Sequence, residues 1–147
     1  MCYNYKEVDS VIEVEVLKKK DIASYIDFIK EIFDYNVDSS AIEKLIRKNK
    51  VLIIKRDERV VASATLEERF EYIKNQKFYY LSYLGVLKEY RRRGYATKIF
   101  EKINELVQEN NISYLELTSG NQRRVAHYFY KSKDFKIKDT TVFVKFY

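Results

Sequence analysis

"LGVLKEYRRRGYATKIF", residues 84–100, runs from an apolar strand-like stretch through three arginines and a glycine into a helical pattern. Ile99, Phe100, Ile103, Leu106 and Val107 then recur on one helical face. "ISYLELT" (112–118) restores strand character, so strand, helix and strand read as a parallel crossover. That unit predicts a mixed α/β layer protein. Its junction predicts an anion site, because a helix N-terminus offers N–H groups and a positive dipole end. Gly94 and Ala96 leave room for a phosphate, and Arg91, Arg92 and Arg93 add charge. Gly85, inside an apolar strand, marks a bulge or a close backbone approach. Either would present main-chain groups of Leu84 and Val86 to an extended ligand.

Working outward, "VLIIKRDERVVASATLEERF" (51–70) reads as two strands joined at Arg56 to Arg59, and "KFYYLSYLGVL" (77–87) as a third. "DSVIEVEVL" (9–17) has the period of a strand. From Asp21, a candidate N-cap, Ile22, Ile26, Ile29 and Phe33 mark one helix. Ser40 and Glu43 form a candidate capping box for a second. A short helix is expected over about Gln122–Ser132, followed by strand signals to Tyr147.

The 147 residues fit one domain, 1–147, with no linker or repeat and no proline to interrupt it. A hydrophobic share of 46% with 34% charged residues is globular composition. Residues 1–86 carry 15 basic and 15 acidic side chains, whereas residues 87–147 carry 13 and 7. The whole excess of +6 therefore lies in the segment that opens with the arginines, where a polyanion is expected. One histidine, His127, gives no metal-ligand cluster, and one cysteine, Cys2, gives no internal disulfide and suits a cytoplasmic protein. No apolar run approaches the roughly 18 residues of a membrane span, and the first residues lack a signal-peptide pattern. A nucleic-acid-binding role for the Arg and Tyr content is the rival reading. The aromatics, however, are spread through nearly every element as strand fillers, with no nucleic-acid-binding motif beside them.

The same residues resemble the GNAT N-acetyltransferases, whose acetyl-CoA motif is Q/R-x-x-G-x-G/A. Here the match is Arg91-x-x-Gly94-x-Ala96, and "RRVAHYFYKSKDF" resembles the family's A-x-x-F/L-Y-x-x-x-G-F segment through Ala126, Phe129, Tyr130 and Phe135. The resemblance implies a mostly antiparallel mixed sheet of six or seven strands, splayed at its centre, with about four helices. It implies that Arg91, Arg92, Arg93, Gly94, Tyr95, Ala96 and Thr97 cradle the pyrophosphate of acetyl-CoA, while backbone groups of Leu84 and Val86 pair with the pantetheine arm. Arg123 stands where many members have Asn, and Asp134 where they have Gly.

By the same resemblance, Tyr130 donates a hydrogen bond or proton to the departing thiolate. The phenol's reference pKa of about 10 against about 8.5 for a thiol makes complete transfer cost roughly 2 kcal/mol. Arg123, Arg124 or Lys131 would narrow that gap if they faced it. An alkylamine acceptor is only about 0.04% neutral at pH 7, so its proton needs a destination. The positions where members carry a glutamate are Tyr80 and Ser82 here. Glu116, or a water held by Tyr80 and Ser82, is the candidate base; His127 reads as a structural contact. Glu67, Glu68 and Glu71 read first as a solvated hairpin and second as a subsite for a cationic acceptor. The expected activity is metal-free transfer of acetyl from acetyl-CoA to an amine acceptor, by a monomer or homodimer. The alternative is a non-catalytic acetyl-CoA-binding module of the same fold.

Overall fold

The computed structural model describes residues 11–147. It divides into two compact units, one up to Leu117 and one from Thr118, and each is described by itself. The first contains β1 (Glu15–Val16), α1 (Ile22–Phe33), α2 (Ser39–Lys48), β2 (Lys50–Arg56), β3 (Arg59–Glu71), β4 (Gln76–Val86), α3 (Tyr95–Glu109) and β5 (Tyr114–Glu116). The second contains α4 (Arg124–Ser132).

The strands form one sheet in the order β1-β2-β3-β4-β5, antiparallel except for β5, which runs parallel to β4 after the α3 crossover. β2 and β3 meet through Asp57 and Glu58, both at positive φ. That is the conformation a two-residue hairpin requires, adopted here without glycine. Val51, Leu52, Ile53 and Ile54 are all buried, so β2 is covered on both faces. On one face α1 seats Tyr25 against β3, its hydroxyl beside those of Ser63 and Thr65 with no well-formed hydrogen bond among the three. Ile99, Phe100, Ile103 and Leu106 of α3 are buried in the packing against β2, β3 and β4. Each such side chain contributes about 1.5–3 kcal/mol of transfer free energy.

Several expectations are corrected. Among the described residues the sheet has five strands rather than six or seven. The first strand is described only at Glu15–Val16; residues 9 and 10 of the expected span lie outside the described residues. Asp21 occupies the N-cap of α1, but its carboxylate is buried and accepts from Lys55 Nζ at 3.1 Å instead of capping the helix. At α2 the cap is Asp38, which accepts from the Ala41 N–H at 2.9 Å and the Ser40 hydroxyl at 2.8 Å. The Ser40–Glu43 box is therefore displaced by an acid two residues earlier. Residues 136–147, expected to continue as strand, belong to none.

Candidate active site

The expected anion site starts with an irregularity in β4. Ser63 pairs with Gly85 and Thr65 with Ser82, so β4 spends three steps where β3 spends two. The extra residue is a β-bulge at Tyr83–Leu84, and Tyr83 sits at φ +49°, an uncommon conformation for a side chain of that size. Gly85 is explained by α1: a Cβ there would lie 2.9 Å from Ile32 Cγ2 and 3.4 Å from the Phe33 ring. The close approach expected of this glycine is thus made by the helix that covers the bulge. β5 pairs with β4 along Phe78, Tyr79 and Tyr80, while β4 runs on to Val86. Leu84 and Val86 lie in that continuation, beyond the last β5 bridge.

From Val86 the chain passes through a short 3-10 turn at Lys88–Tyr90 and reverses over Arg91–Gly94. Arg92 and Gly94 have φ of +62° and +82°. Only glycine accepts the second without strain, and no atom lies within 4 Å of the place a Cβ would take. Arg91 Nε donates to the Val86 carbonyl at 3.0 Å, tying the basic turn to the end of the strand. That carbonyl, expected to face the ligand, has a protein partner here. Arg92 and Arg93 are exposed, with the Arg93 guanidinium 5.6 Å from the Tyr90 ring centre.

The helical ladder of α3 begins with the Lys98 N–H on the Gly94 carbonyl, at 3.0 Å. The N–H groups of Tyr95, Ala96 and Thr97 precede it, and no side chain caps them. The Tyr95 side chain is buried and accepts from Arg56 Nε at 2.8 Å, so it anchors the helix while its main chain faces the turn. Glu89, the acid nearest the arginines, is engaged by Arg59 at 2.9 Å. Hydrogen bonds from its own backbone and from Arg59 hold its carboxyl below the usual range. Uncapped N–H groups, two exposed guanidinium groups and a glycine facing open space fit a pyrophosphate in charge and donor type. Arg59 and Arg56 support this site from the β2–β3 hairpin; nothing in their sequence spacing signals it.

Glu116, the last residue of β5, lies opposite Tyr80, and Tyr80 lies opposite Glu67 of β3. Carboxylates from both neighbouring strands therefore flank the position where one was sought on β4. The Arg69 guanidinium lies 4.0 Å from the Tyr80 ring centre and binds both Glu67 oxygens at 3.0 Å. Glu67 chiefly, with Glu116 contributing, stabilises its charge. Glu68 points to the other face, beside Tyr79, in a cleft of about 280 Å³ that also includes Asn49 and Leu66. The acidic hairpin thus divides its charges between two faces. Among the described residues no group of His, Cys, Asp and Glu is arranged to hold a metal.

In the second unit, Tyr130 is stacked edge-on against Phe129 and Phe135, with ring centres 5.9 and 5.7 Å away. Burial pushes its phenol pKa above the usual value, opposed in part by the charge of Arg123. Arg123, one of the cations named for narrowing the phenol–thiol gap, offsets part of the effect of burial. Asp134, in place of glycine, takes φ +66°. The Asp134 N–H reaches the Lys131 carbonyl and the Phe135 N–H the Tyr130 carbonyl, each at 3.1 Å. These two bonds and the Phe135–Tyr130 contact make a Schellman helix end. The turn that glycine would make is formed by aspartate.

A model of the acetyltransferase (GNAT) family matches residues 20–135. The chain belongs to the GNAT acetyltransferase family. No curated protein matches it. Among solved structures, a possible acetyltransferase from Clostridium difficile 630 superposes with a TM-score of 0.75 at 21% identity, over 94% of this chain and 99% of the other. An aminoglycoside acetyltransferase from an uncultured soil metagenomic sample, solved with trehalose, gives 0.80 at 19% over 96% and 99%. A transcriptional regulator from Bacillus halodurans C-125 gives 0.81 at 13% over 92% and 100%. At these identities the likeness is one of fold. In this GNAT chain the matched residues run from α1 through α4. No described helix is long and apolar enough to cross a membrane.

Proposed function

We propose that this protein transfers an acetyl group from acetyl-CoA to the primary amine of a small molecule or peptide. The observation that carries the reading is the basic turn Arg91–Gly94, fixed to the end of bulged β4 and opening α3 with uncapped N–H groups. Bound acetyl-CoA supplies the thioester, whose carbonyl carbon the amine attacks as the carbon–sulfur bond breaks. Arg91, Arg92, Arg93 and the main chain of Gly94, Tyr95, Ala96 and Thr97 hold the pyrophosphate, and β4 at Leu84 and Val86 orients the arm. Arg123 is assigned to the same ligand. Tyr130, a phenol whose pKa burial raises further, donates a hydrogen bond to negative charge appearing on sulfur. Such a donor is worth about 10²-fold or more in rate. Glu116, in a row with Tyr80 and Glu67, is the carboxylate assigned to the ammonium proton. The protein is read as cytoplasmic and metal-free.

The test is release of free thiol from acetyl-CoA with a panel of primary amines, alongside calorimetry of acetyl-CoA binding. Acetyl-CoA binding with amine-dependent thiol release is expected; no binding overturns the assignment. A non-catalytic acetyl-CoA-binding module is the second reading, favoured by Tyr80 and Ser82 standing where a carboxylate was sought. Binding without turnover of any amine would establish it in place of the first.

A further inference from the structure

Arg56 and Arg59 stand opposite each other as the last pair of the β2–β3 hairpin. Like charges placed directly across a ladder repel. Each side chain, however, reaches out of the hairpin to one flank of the basic turn. Arg56 Nε donates to the Tyr95 hydroxyl at 2.8 Å, just after Gly94. Arg59 donates through one terminal nitrogen to Glu89 and through the other to Glu31 of α1, both at 2.9 Å. Glu89 lies shortly before Arg91 and is the one acid between Glu71 and Glu101, so it is the residue placed to cancel charge in the turn. The main chain there has other ties. The Leu87 N–H donates to the Val61 carbonyl at 2.8 Å, the Tyr90 N–H to the Leu87 carbonyl at 2.9 Å, and Arg91 Nε to the Val86 carbonyl at 3.0 Å. What the Arg59–Glu89 pair adds is control of charge.

We propose that Arg59 is a positioning residue for the acetyl-CoA site: it holds the Glu89 carboxylate at the hairpin and neutralises it, which leaves Arg91, Arg92 and Arg93 to the pyrophosphate. This rests on the reading of the basic turn as the pyrophosphate site. Without Arg59, the Glu89 carboxylate competes for the same guanidinium groups and repels the incoming anion. One such charge within a Debye length of a doubly charged anion is worth about 5-fold or more in affinity at low salt. Glu31 loses its partner in the same variant, but it belongs to α1 and not to the turn, so the two acids can be told apart. The like-charge pair at the hairpin end follows from this role, since each arginine is engaged at one end of the turn that it serves.

Calorimetry with inorganic pyrophosphate and with acetyl-CoA, at low salt, tests the role. Arg59→Met should weaken binding by about 5-fold or more. Glu89→Gln should bind at least as tightly as wild type, and Arg59→Met with Glu89→Gln should return to within about twofold of it. Arg59→Met with Glu31→Gln should stay weak; equal recovery there overturns the inference. A pair that only holds the shape of the turn gives another order, in which Glu89→Gln weakens binding and does not rescue Arg59→Met. That order overturns it too. Should Arg59→Met not fold, Glu89→Gln decides alone: weaker binding overturns the inference, and equal or tighter binding supports it. Equal affinity of Arg59→Met and wild type overturns this role and leaves the acetyl-CoA reading standing. A wild type that binds pyrophosphate but not acetyl-CoA overturns that reading, while the same variants still judge Arg59 on pyrophosphate. A wild type that binds neither ligand removes both.

Discussion

Tyr130 and Asp134 act through one turn of chain. Tyr130 supplies the third-last carbonyl of α4 to the Phe135 N–H, while its ring packs on Phe135. Asp134 holds the left-handed conformation that makes both contacts. Tyr130→Phe keeps the rings and the backbone bond and removes only the hydroxyl. If that hydroxyl meets charge appearing at the transition state, kcat falls by about 10-fold or more at unchanged acetyl-CoA affinity. Single-turnover kinetics with a verified acceptor, beside matched unfolding midpoints, measures this; unaltered kcat removes Tyr130 from the mechanism. Because burial raises the phenol pKa, Tyr130 stays protonated throughout the neutral range. An alkaline loss of activity below pH 10 therefore has another origin and should persist in the residual activity of Tyr130→Phe. Asp134→Gly relieves the positive φ and is expected to stabilise by up to about 1 kcal/mol. Urea denaturation gives the value, and a destabilised variant would show that the aspartate side chain makes the turn.

The two glycines of the strand–turn–helix unit separate packing from binding. Gly85 lies under α1, so Gly85→Ala forces Ile32 or the helix to move and should cost about 1–3 kcal/mol. Gly94 faces open space, and a side chain there is resisted only by the φ of +82°, at about 1–2 kcal/mol. Gly94→Val is therefore expected to leave a folded protein. It should remove most of the rise in thermal midpoint that saturating acetyl-CoA gives the wild type, since binding only the native state stabilises it. Thermal scans with and without acetyl-CoA on both variants check the pair. Equal affinity of Gly94→Val and wild type would relocate the pyrophosphate site.

Across the sheet, Lys55 of β2 joins the start of α1 to the hairpin. Its ammonium lies 3.1 Å from the buried Asp21 carboxylate and 3.7 Å from Glu15. Removing the cation strands Asp21, so Lys55→Met should cost about 3 kcal/mol near neutral pH. Its pKa is raised, chiefly by the hydrogen bond to Asp21. A group raised on folding stabilises fully below its unfolded value of about 10.4, and that stabilisation is lost as pH rises through the higher folded value. The wild type's advantage over Lys55→Met should hold at pH 7–9 and shrink above about pH 10, as followed by denaturation at each pH. An advantage that is constant through pH 11 would mean the lysine acts by packing alone.

The local chemistry of the chain determined much of this by itself. Apolar periodicity sets α1 and α3, the paired strands follow from their short runs of apolar and β-branched residues, and the arginines with Gly94 mark a strand-to-helix turn. The Arg91, Gly94 and Ala96 spacing matches the family's motif within that turn. What lay beyond it depended on partners distant in sequence. Asp21 looked like a cap until Lys55, 34 residues away, drew its carboxylate inward. Gly85 reads as a bulge or a close approach, and only the fold shows that the close neighbour is α1. The row Glu67–Tyr80–Glu116 exists only through register across three strands. Strand character at residues 139–147 is plain in the sequence, yet a strand is made by its neighbour as much as by its own residues. Propensity and spacing are properties of a segment, whereas burial, register and edge pairing belong to the assembled surfaces, and only the tertiary structure decides those.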